Sequence, residues 1–170
     1  MSAGNDMAEE IAMSTKKQGS IEILDGFPND VVAIEYRGYI DSDDYEKVLI
    51  PEIESRIAQE GKVKLLAIIG KDYEGVSAGA AWDDLKFGLL HLGDFPRIAL
   101  VTDKKGLRKA LKIFAPLMRS EVRVFGLDEL DAAREWITRN VPPVEPETEA
   151  EAEARRRMQQ EAELILPIEQ

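Results

Sequence analysis

Cysteine is absent from the sequence, and histidine occurs once in 170 residues. The absence of cysteine excludes disulfides, metal sites with thiolate ligands and catalysis by a thiol. If His91 and Ser77 share a predicted helix, they lie roughly 21 Å apart along it, which is too far for a serine nucleophile and its base. Only carboxylates remain as candidate metal ligands, so we expect neither a metal nor a cofactor, and we expect that the protein is not an enzyme.

Long apolar runs and a positive net charge are missing as well. No segment approaches the roughly 18 apolar residues of a membrane span, so we expect no stable membrane insertion. The first 20 residues hold no apolar stretch after a basic start, so we expect no secretory signal and a cytoplasmic protein. The net charge of −11 is unsuited to nucleic acid, whose binding depends on neutralised phosphates.

What the sequence does contain is a regular alternation of strand and helix patterns. We predict strands at 20–24, 31–38, 62–70, 97–102 and 122–125, and helices at 41–61, 77–92, 104–117 and 128–139. This order predicts an α/β fold with a mostly parallel sheet of four to five strands, one antiparallel edge strand and four helices.

The same patterns divide the chain into three parts. Residues 1–19 are polar and predicted to be flexible, and residues 20–140 form the α/β domain. Residues 141–170 form an acidic tail rich in Pro and Glu, for which a solvated tail and a marginal helix both remain open.

Local signals predict how the helices begin and bend. Asp41 or Ser42 is placed to cap the first helix, and Asp103 and Asp128 are placed to cap the last two. Pro51 lies inside the first helix, so we expect a kink there.

The segment GKDYEGVSAGAAW, residues 70–82, resembles a phosphate-binding loop but lacks its lysine. Val76 stands at the lysine position, and Tyr73 and Glu74 add bulk and negative charge where a phosphate would lie. The segment is therefore better interpreted as a strand-to-helix turn, in which Ser77 caps the following helix. A phosphate on Ser77 would meet the positive end of that helix, so Ser77 is a helix-cap or switch candidate.

Two features of the predicted surface are not explained by packing of the core. Phe87 and Leu90 fall outside the main apolar stripe of helix 77–92, and they either line the edge of the core or form a patch for a partner or ligand. The segment DKKGLRKALK, residues 103–112, places cations on one exterior face of an acidic protein. Such a face is either solvated or holds an acidic partner or anionic headgroups.

Three segments resemble the SpoIIAA-like family, which is related to STAS domains and similar in architecture to the CRAL-TRIO domains. They are KLLAIIG, AAWDDLKFGLLHLGDFPRIALVTD and FAPLMRSEVRVFGLDELDAAREWI, and the resemblance covers about residues 20–138. It implies the α/β sheet architecture, frequent dimers and no established enzyme activity. In anti-sigma-factor antagonists, a serine at the start of the helix after the central strand is phosphorylated. Ser77 is the candidate here, and Val76 stands where those proteins have Asp.

These features lead to a hypothesis of a non-enzymatic regulatory or protein-binding domain that forms a homodimer. Its partner surface is predicted to be the loop 71–77 with Tyr73, the exposed side of helix 77–92, and the basic helix with Lys105 and Arg108. The alternative is a carrier of a small apolar or lipid-like ligand, held in a CRAL-TRIO-like cavity near Trp82, Phe87 and Leu90.

Overall fold

A five-stranded sheet forms the centre of the fold. The computed structural model describes residues 19–80, 93–140 and 148–165. The strands are β1 Ser20–Ile23, β2 Val31–Ile40, β3 Lys64–Val76, β4 Arg97–Val101 and β5 Glu121–Phe125, in the spatial order β1-β2-β3-β4-β5. β1 is antiparallel to β2, whereas the other neighbours are parallel. The predicted fold class is therefore confirmed.

Helices follow the strands in the predicted alternation. They are α1 Ser42–Asp44, α2 Ile50–Glu60, α3 Lys105–Phe114, α4 Leu130–Thr138 and α5 Glu149–Ile165. A π-helical turn, Tyr45–Leu49, joins α1 to α2, and 3-10 turns at Ala115–Leu117 and Leu127–Glu129 follow α3 and precede α4. Residues 78–80 are also helical, and the predicted remainder of that helix lies outside the described residues. α5 lies in the acidic tail, for which the sequence leaves a solvated tail and a helix open.

Each face of the sheet carries its own set of side chains, because successive side chains of a strand point to opposite faces. Different helices cover the two faces. Face 1 packs against α2, α3 and the π-helical turn, and face 2 packs against α4. Face 1 buries Ile21, Val32, Ile34, Tyr36, Ala67, Ile98 and Leu100, together with Tyr45, Leu49 and Ile53, which recur at helical spacing. Face 2 buries Val31, Ala33, Leu66, Ile68, Ala99 and Val101 against Ala133, Trp136 and Ile137.

The first helical segment begins with a capping box. Asp41 Oδ1 accepts from the N–H of Asp44 at 3.2 Å, and Asp44 Oδ2 accepts from the N–H of Asp41 at 3.0 Å. The predicted cap at Asp41 is thereby confirmed. Pro51 lies at the start of α2, directly after the π-helical turn. The irregularity expected from its missing N–H takes the form of that turn.

The other two predicted caps are wrong. Lys104 is the N-cap residue of α3, and no side chain of the described residues caps it. Asp103 Oδ1 accepts instead from the N–H of Leu127 at 3.0 Å, which joins the segments after β4 and β5. Before α4, the Glu129 carboxylate accepts from the N–H of Gly126 at 2.7 Å. Glu129, rather than Asp128, therefore provides the capping side chain.

Two buried cations hold the end of α4 against the sheet. Lys64 Nζ donates to the carbonyl of Arg139 at 3.4 Å. Arg97 Nη1 donates to the carbonyls of Trp136 and Arg139, each at 3.2 Å, and its Nε pairs with Glu121 at 3.0 Å. Carbonyls at a helix end lack partners within the helix, and they interact favourably with cations. These contacts therefore fix α4 on face 2.

Candidate functional site

Three helical segments start at the same edge of the sheet. α1 follows the end of β2, residues 78–80 follow β3, and α3 follows β4. Because these strands are parallel, their carboxyl ends meet at one edge, and the helix starts that follow them present N–H groups there. Ligands and partners of parallel sheets commonly bind at this edge.

β3 extends past its neighbour β4 at this edge. It continues to Val76, so the predicted loop at 71–77 is wrong. The register with β2 shifts twice, pairing Gly38 with Tyr73 and Tyr39 with Gly75. β4 pairs with β3 only as far as Ile68, so the end of β3 projects beyond β4. The segment has the composition of a turn, yet it forms a strand. At the register shifts, some of its residues bulge out of β3 without a partner on β2.

Tyr73 is the aromatic residue of this projecting segment. Its ring is half-buried, and it lies 6.5 Å from the ring of Tyr36 at an interplanar angle of 85°. Lys104 Nζ lies 5.5 Å from the centroid of Tyr73, within the range of a cation–π interaction. Two chain neighbours, Asp72 and Glu74, are exposed. Tyr73 is thus an amphipathic side chain between the core and a charged rim.

Ser77 ties the end of β3 to the following helix. Its N–H donates to the carbonyl of Ile40 at 2.8 Å, and its Oγ accepts from the N–H of Ala80 at 3.0 Å. The second contact is the hydrogen bond of an N-cap serine. A Cβ built on Gly79 would clash with Ser42 Oγ, so glycine allows two helix starts to approach each other closely.

Thr102 connects the edge to the start of α3. Its buried Oγ1 donates to the carbonyl of Ile69 at 2.9 Å and accepts from the N–H of Lys104 at 3.2 Å. Arg108 Nη1 donates to the carbonyl of Thr102 at 2.9 Å. Arg108 is therefore half-buried and held in place, whereas Lys105 is exposed.

These contacts bring together several residues that the sequence singled out. Lys104 contacts Tyr73 directly and precedes Lys105, so Tyr73, Lys105 and Arg108 belong to one region. We call the set Tyr73, Ser77, Lys104, Lys105 and Arg108 the carboxyl-edge surface. Three further candidates, Trp82, Phe87 and Leu90, lie outside the described residues.

The family of the chain follows from a match to a family model. A model described as SpoIIAA-like matches residues 31–138, which is more than half of the chain. The chain belongs to the SpoIIAA-like family. The resemblance noted in the sequence is thereby confirmed, and the match contains the carboxyl-edge surface.

A solved structure is similar to this SpoIIAA-like chain. It is the crystal structure of an uncharacterised protein of the DUF3478 family from Shewanella loihica PV-4, described as having a SpoIIAA-like fold. The two share 27% sequence identity with a TM-score of 0.59, over 71% of this chain and 96% of that one. Among curated proteins, none matches the chain.

The exposed side of α3 continues the carboxyl-edge surface of the SpoIIAA-like domain. Lys105, Lys109 and Lys112 are exposed along it. Ile113 is 61% exposed on the same helix. Since residues four apart on a helix are neighbours, Ile113 lies next to Lys109. Sequence reasoning missed Ile113, although its position outside the stripe of Leu107 and Leu111 was readable from helical spacing.

Two acidic groups at this edge, Asp41 and Asp44, form the capping box of the first helical segment. Burial raises the pKa of the Asp44 carboxyl, and the neighbouring Asp41 carboxylate adds to this effect.

Within residues 19–80, 93–140 and 148–165, no three acidic or histidine side chains come together as a metal site requires. In the same part of the chain, no helix combines the length and apolar character needed to cross a bilayer.

Proposed function

We propose that this SpoIIAA-like chain is a non-enzymatic, regulatory protein-binding domain that docks a partner protein on the carboxyl-edge surface. The observation that supports this most is the position of Tyr73. Tyr73 lies on the part of β3 that extends past its pairing with β4, and its ring packs edge-on against Tyr36 and contacts Lys104. Protein interfaces favour an aromatic anchor with a polar rim, and Tyr73 is surrounded by such a rim.

The hydrogen bonds of the hydroxyl groups at this edge favour docking over catalysis. Ser77 Oγ caps a helix, and Thr102 Oγ1 bonds two backbone groups. A nucleophile instead needs a general base within hydrogen-bonding distance. Proteins with this fold are also generally not catalysts.

A photo-crosslinking experiment tests the docking proposal. Tyr73→p-benzoylphenylalanine keeps an aromatic ring at the position, and the same substitution at exposed Glu54 of α2 is the matched control. After irradiation in cells of the source organism, we expect a protein attached at position 73 and not at position 54. The identified protein, once purified, should bind the wild-type chain more tightly than the Tyr73→Ala variant. Equal capture at both positions, or equal affinity, would show that the proposal is wrong.

Regulation through Ser77 stays a separate prediction that the family resemblance implies. A phosphate would add negative charge at the start of a helix, where it is favourable. If Ser77→Asp and Ser77→Ala both bind the captured partner like the wild type, Ser77 acts only as a helix cap.

The alternative function, a carrier of a small apolar ligand, has no support from the described residues because its predicted lining lies outside them. It therefore stays a prediction, as does the homodimer. Native mass spectrometry of protein purified from its own host tests both, since one spectrum reports copy number and retained small molecules.

A further inference from the structure

The exposed side of α3 carries a continuous row of cations. Lys105 and Lys109 are four residues apart and therefore neighbours on the helix, and Lys112 lies beside them. All three are exposed, and the sequence of α3, KGLRKALKIF, contains no acidic residue. We call Lys105, Lys109, Lys112 and Ile113 the α3 row.

The cations of the α3 row differ from several other exposed cations in their lack of acidic partners. Lys47 pairs with Asp43 at 2.6 Å, and Arg157 pairs with Glu153 at 2.6 Å, each four residues away. In the described part of the chain, no carboxylate pairs with Lys105, Lys109 or Lys112. A chain with 33 acidic and 22 basic residues could readily supply such partners, so the unneutralised row marks a surface that can receive external negative charge.

We propose that the α3 row binds an acidic, helical segment of a partner protein that carries one apolar residue against Ile113. This inference rests on the proposed function and names the partner chemistry of that docking surface. Acids spaced four residues apart on the partner helix would face Lys105 and Lys109. Ile113 would supply apolar contact next to the charges, and the Lys104–Tyr73 contact makes the row continuous with the carboxyl-edge surface.

A precedent for this pairing occurs within the chain itself. Arg119, shortly after the 3-10 turn that ends the α3 segment, lies 3.6 Å from Glu151 in the first turn of α5. The start of an acidic helix thus already contacts a cation next to α3. Both side chains keep contact with solvent, so this ion pair is weak by itself, and a partner with several spaced acids has more to gain from the α3 row.

An anionic membrane is the less favoured occupant. Membrane-surface helices insert a broad apolar face, whereas the α3 row offers Ile113 alone. The proposal therefore commits to a protein segment.

A peptide-binding experiment tests the α3 row directly. The probe is a fluorescein-labelled, alanine-rich peptide of about 25 residues, longer than the length at which isolated helices are marginal, with Glu at every fourth position and one Leu. We expect fluorescence anisotropy to show binding that weakens as salt rises. The double variant Lys105→Glu, Lys109→Glu should lose about tenfold or more in affinity. Lys62→Glu, which changes an exposed lysine outside α3, should bind like the wild type.

Controls separate a binding defect from a folding defect. Glu at position 105 lies in the first turn of α3, where the helix dipole favours it, and thermal unfolding checks the fold. The neutral variant Lys105→Gln, Lys109→Gln should show an intermediate loss. Equal losses in the α3 and Lys62 variants, or tighter binding to phosphatidylserine vesicles than to the peptide, would overturn the inference.

The two proposals fail in different ways. If the partner captured at Tyr73 binds the α3 variants as tightly as the wild type, the α3 inference is wrong and the docking function stands. If the peptide depends on the α3 row but position 73 captures nothing above the control, the α3 inference stands and docking at Tyr73 is wrong.

Discussion

Arg97 contacts Trp136 in two ways at once. Its guanidinium carbon lies 5.0 Å from the centroid of the indole ring, and its Nη1 donates to the Trp136 carbonyl at 3.2 Å. One side chain of β4 thereby fixes both the ring and the helix end of α4. Arg123 lies 5.0 Å from the same indole centroid, but it donates to Glu121 rather than to the helix.

The first prediction concerns the stability that Arg97 provides. Replacing Arg97 by Met removes the donor to the buried Trp136 carbonyl and one of the two donors to the Arg139 carbonyl. We expect the free energy of unfolding to fall by about 2–4 kcal/mol. Urea denaturation followed by tryptophan fluorescence measures this change.

Arg123→Met is the matched control for this prediction. The Arg123 side chain is 55% exposed, against 10% for Arg97. Its loss should therefore cost less than about 1 kcal/mol. Equal destabilisation by the two variants would contradict the role that we assign to Arg97.

The second prediction tests Ser77 as a helix cap. Ser77→Ala removes the acceptor for the N–H of Ala80, so we expect a loss of about 1 kcal/mol in the free energy of unfolding. Ser77→Asp keeps an acceptor at the helix start and should retain most of the stability. Chemical denaturation compares the variants, and Ser55→Ala at an exposed position of α2 is the control. A neutral Ser77→Ala would show that the cap adds nothing.

The third prediction follows from the raised pKa of Asp44. Because burial raises the pKa of this carboxyl, the folded state holds its proton more tightly than the unfolded state. The free energy of unfolding therefore falls as pH rises from the unfolded-state pKa, ~3.9, through the raised folded value. Asp44→Asn keeps an oxygen to accept from the N–H of Asp41 and removes the charge, so its stability relative to the wild type should increase across this window.

Urea denaturation at about pH 3 and about pH 6 brackets that window. Asp44→Ala also removes the charge, but it loses the acceptor of the capping box and should be less stable than Asp44→Asn at both pH values. A stability difference between Asp44→Asn and wild type that is the same at both pH values would contradict the prediction.

The fourth prediction concerns the start of α5. The Thr148 hydroxyl, followed by the Thr148 N–H and Arg119, lowers the pKa of Glu151. This stabilisation is fully present above the unfolded-state pKa of Glu, ~4.3, and it is lost as pH falls through the depressed folded value. Carbon-13 chemical shifts of residues 149–153 should therefore lose helical character in acid.

Two variants check the cause of that loss. Thr148→Ala removes the hydroxyl that donates to Glu151 at 2.6 Å, so the helix start should be weaker at neutral pH as well. Glu151→Gln has no charge to lose, so this part of the acid titration should vanish. An unchanged titration in Glu151→Gln would assign the effect to other groups.

The elements that the sequence predicted well depend on local periodicity. The alternation of strand and helix patterns predicts the mixed sheet. Tyr45, Leu49 and Ile53 recur at helical spacing and are buried, and Ile57 at the next such position is partly buried. Asp41 follows the same logic, since its capping contact lies three residues away. Such features are readable because both partners lie within one turn of the chain.

The elements that the sequence did not predict depend on contacts between distant residues. Arg97 and Lys64 are buried because the end of α4, about forty to seventy-five residues later, places carbonyls beside them. Asp103 fails as a cap because Leu127 takes its carboxylate. β3 continues past its apolar run because β2 pairs with it across the register shifts. No local pattern marks these partners.

The covering of face 2 by α4 has a consequence for shortened chains. A polypeptide ending before Leu130 would leave Leu66, Ile68 and Ala99 without the helix that packs over them. It would also leave the Lys64 ammonium and the Arg97 guanidinium without the Trp136 and Arg139 carbonyls. We therefore expect a chain truncated before Arg139 to be prone to aggregation. Shortened versions for expression should extend beyond that residue.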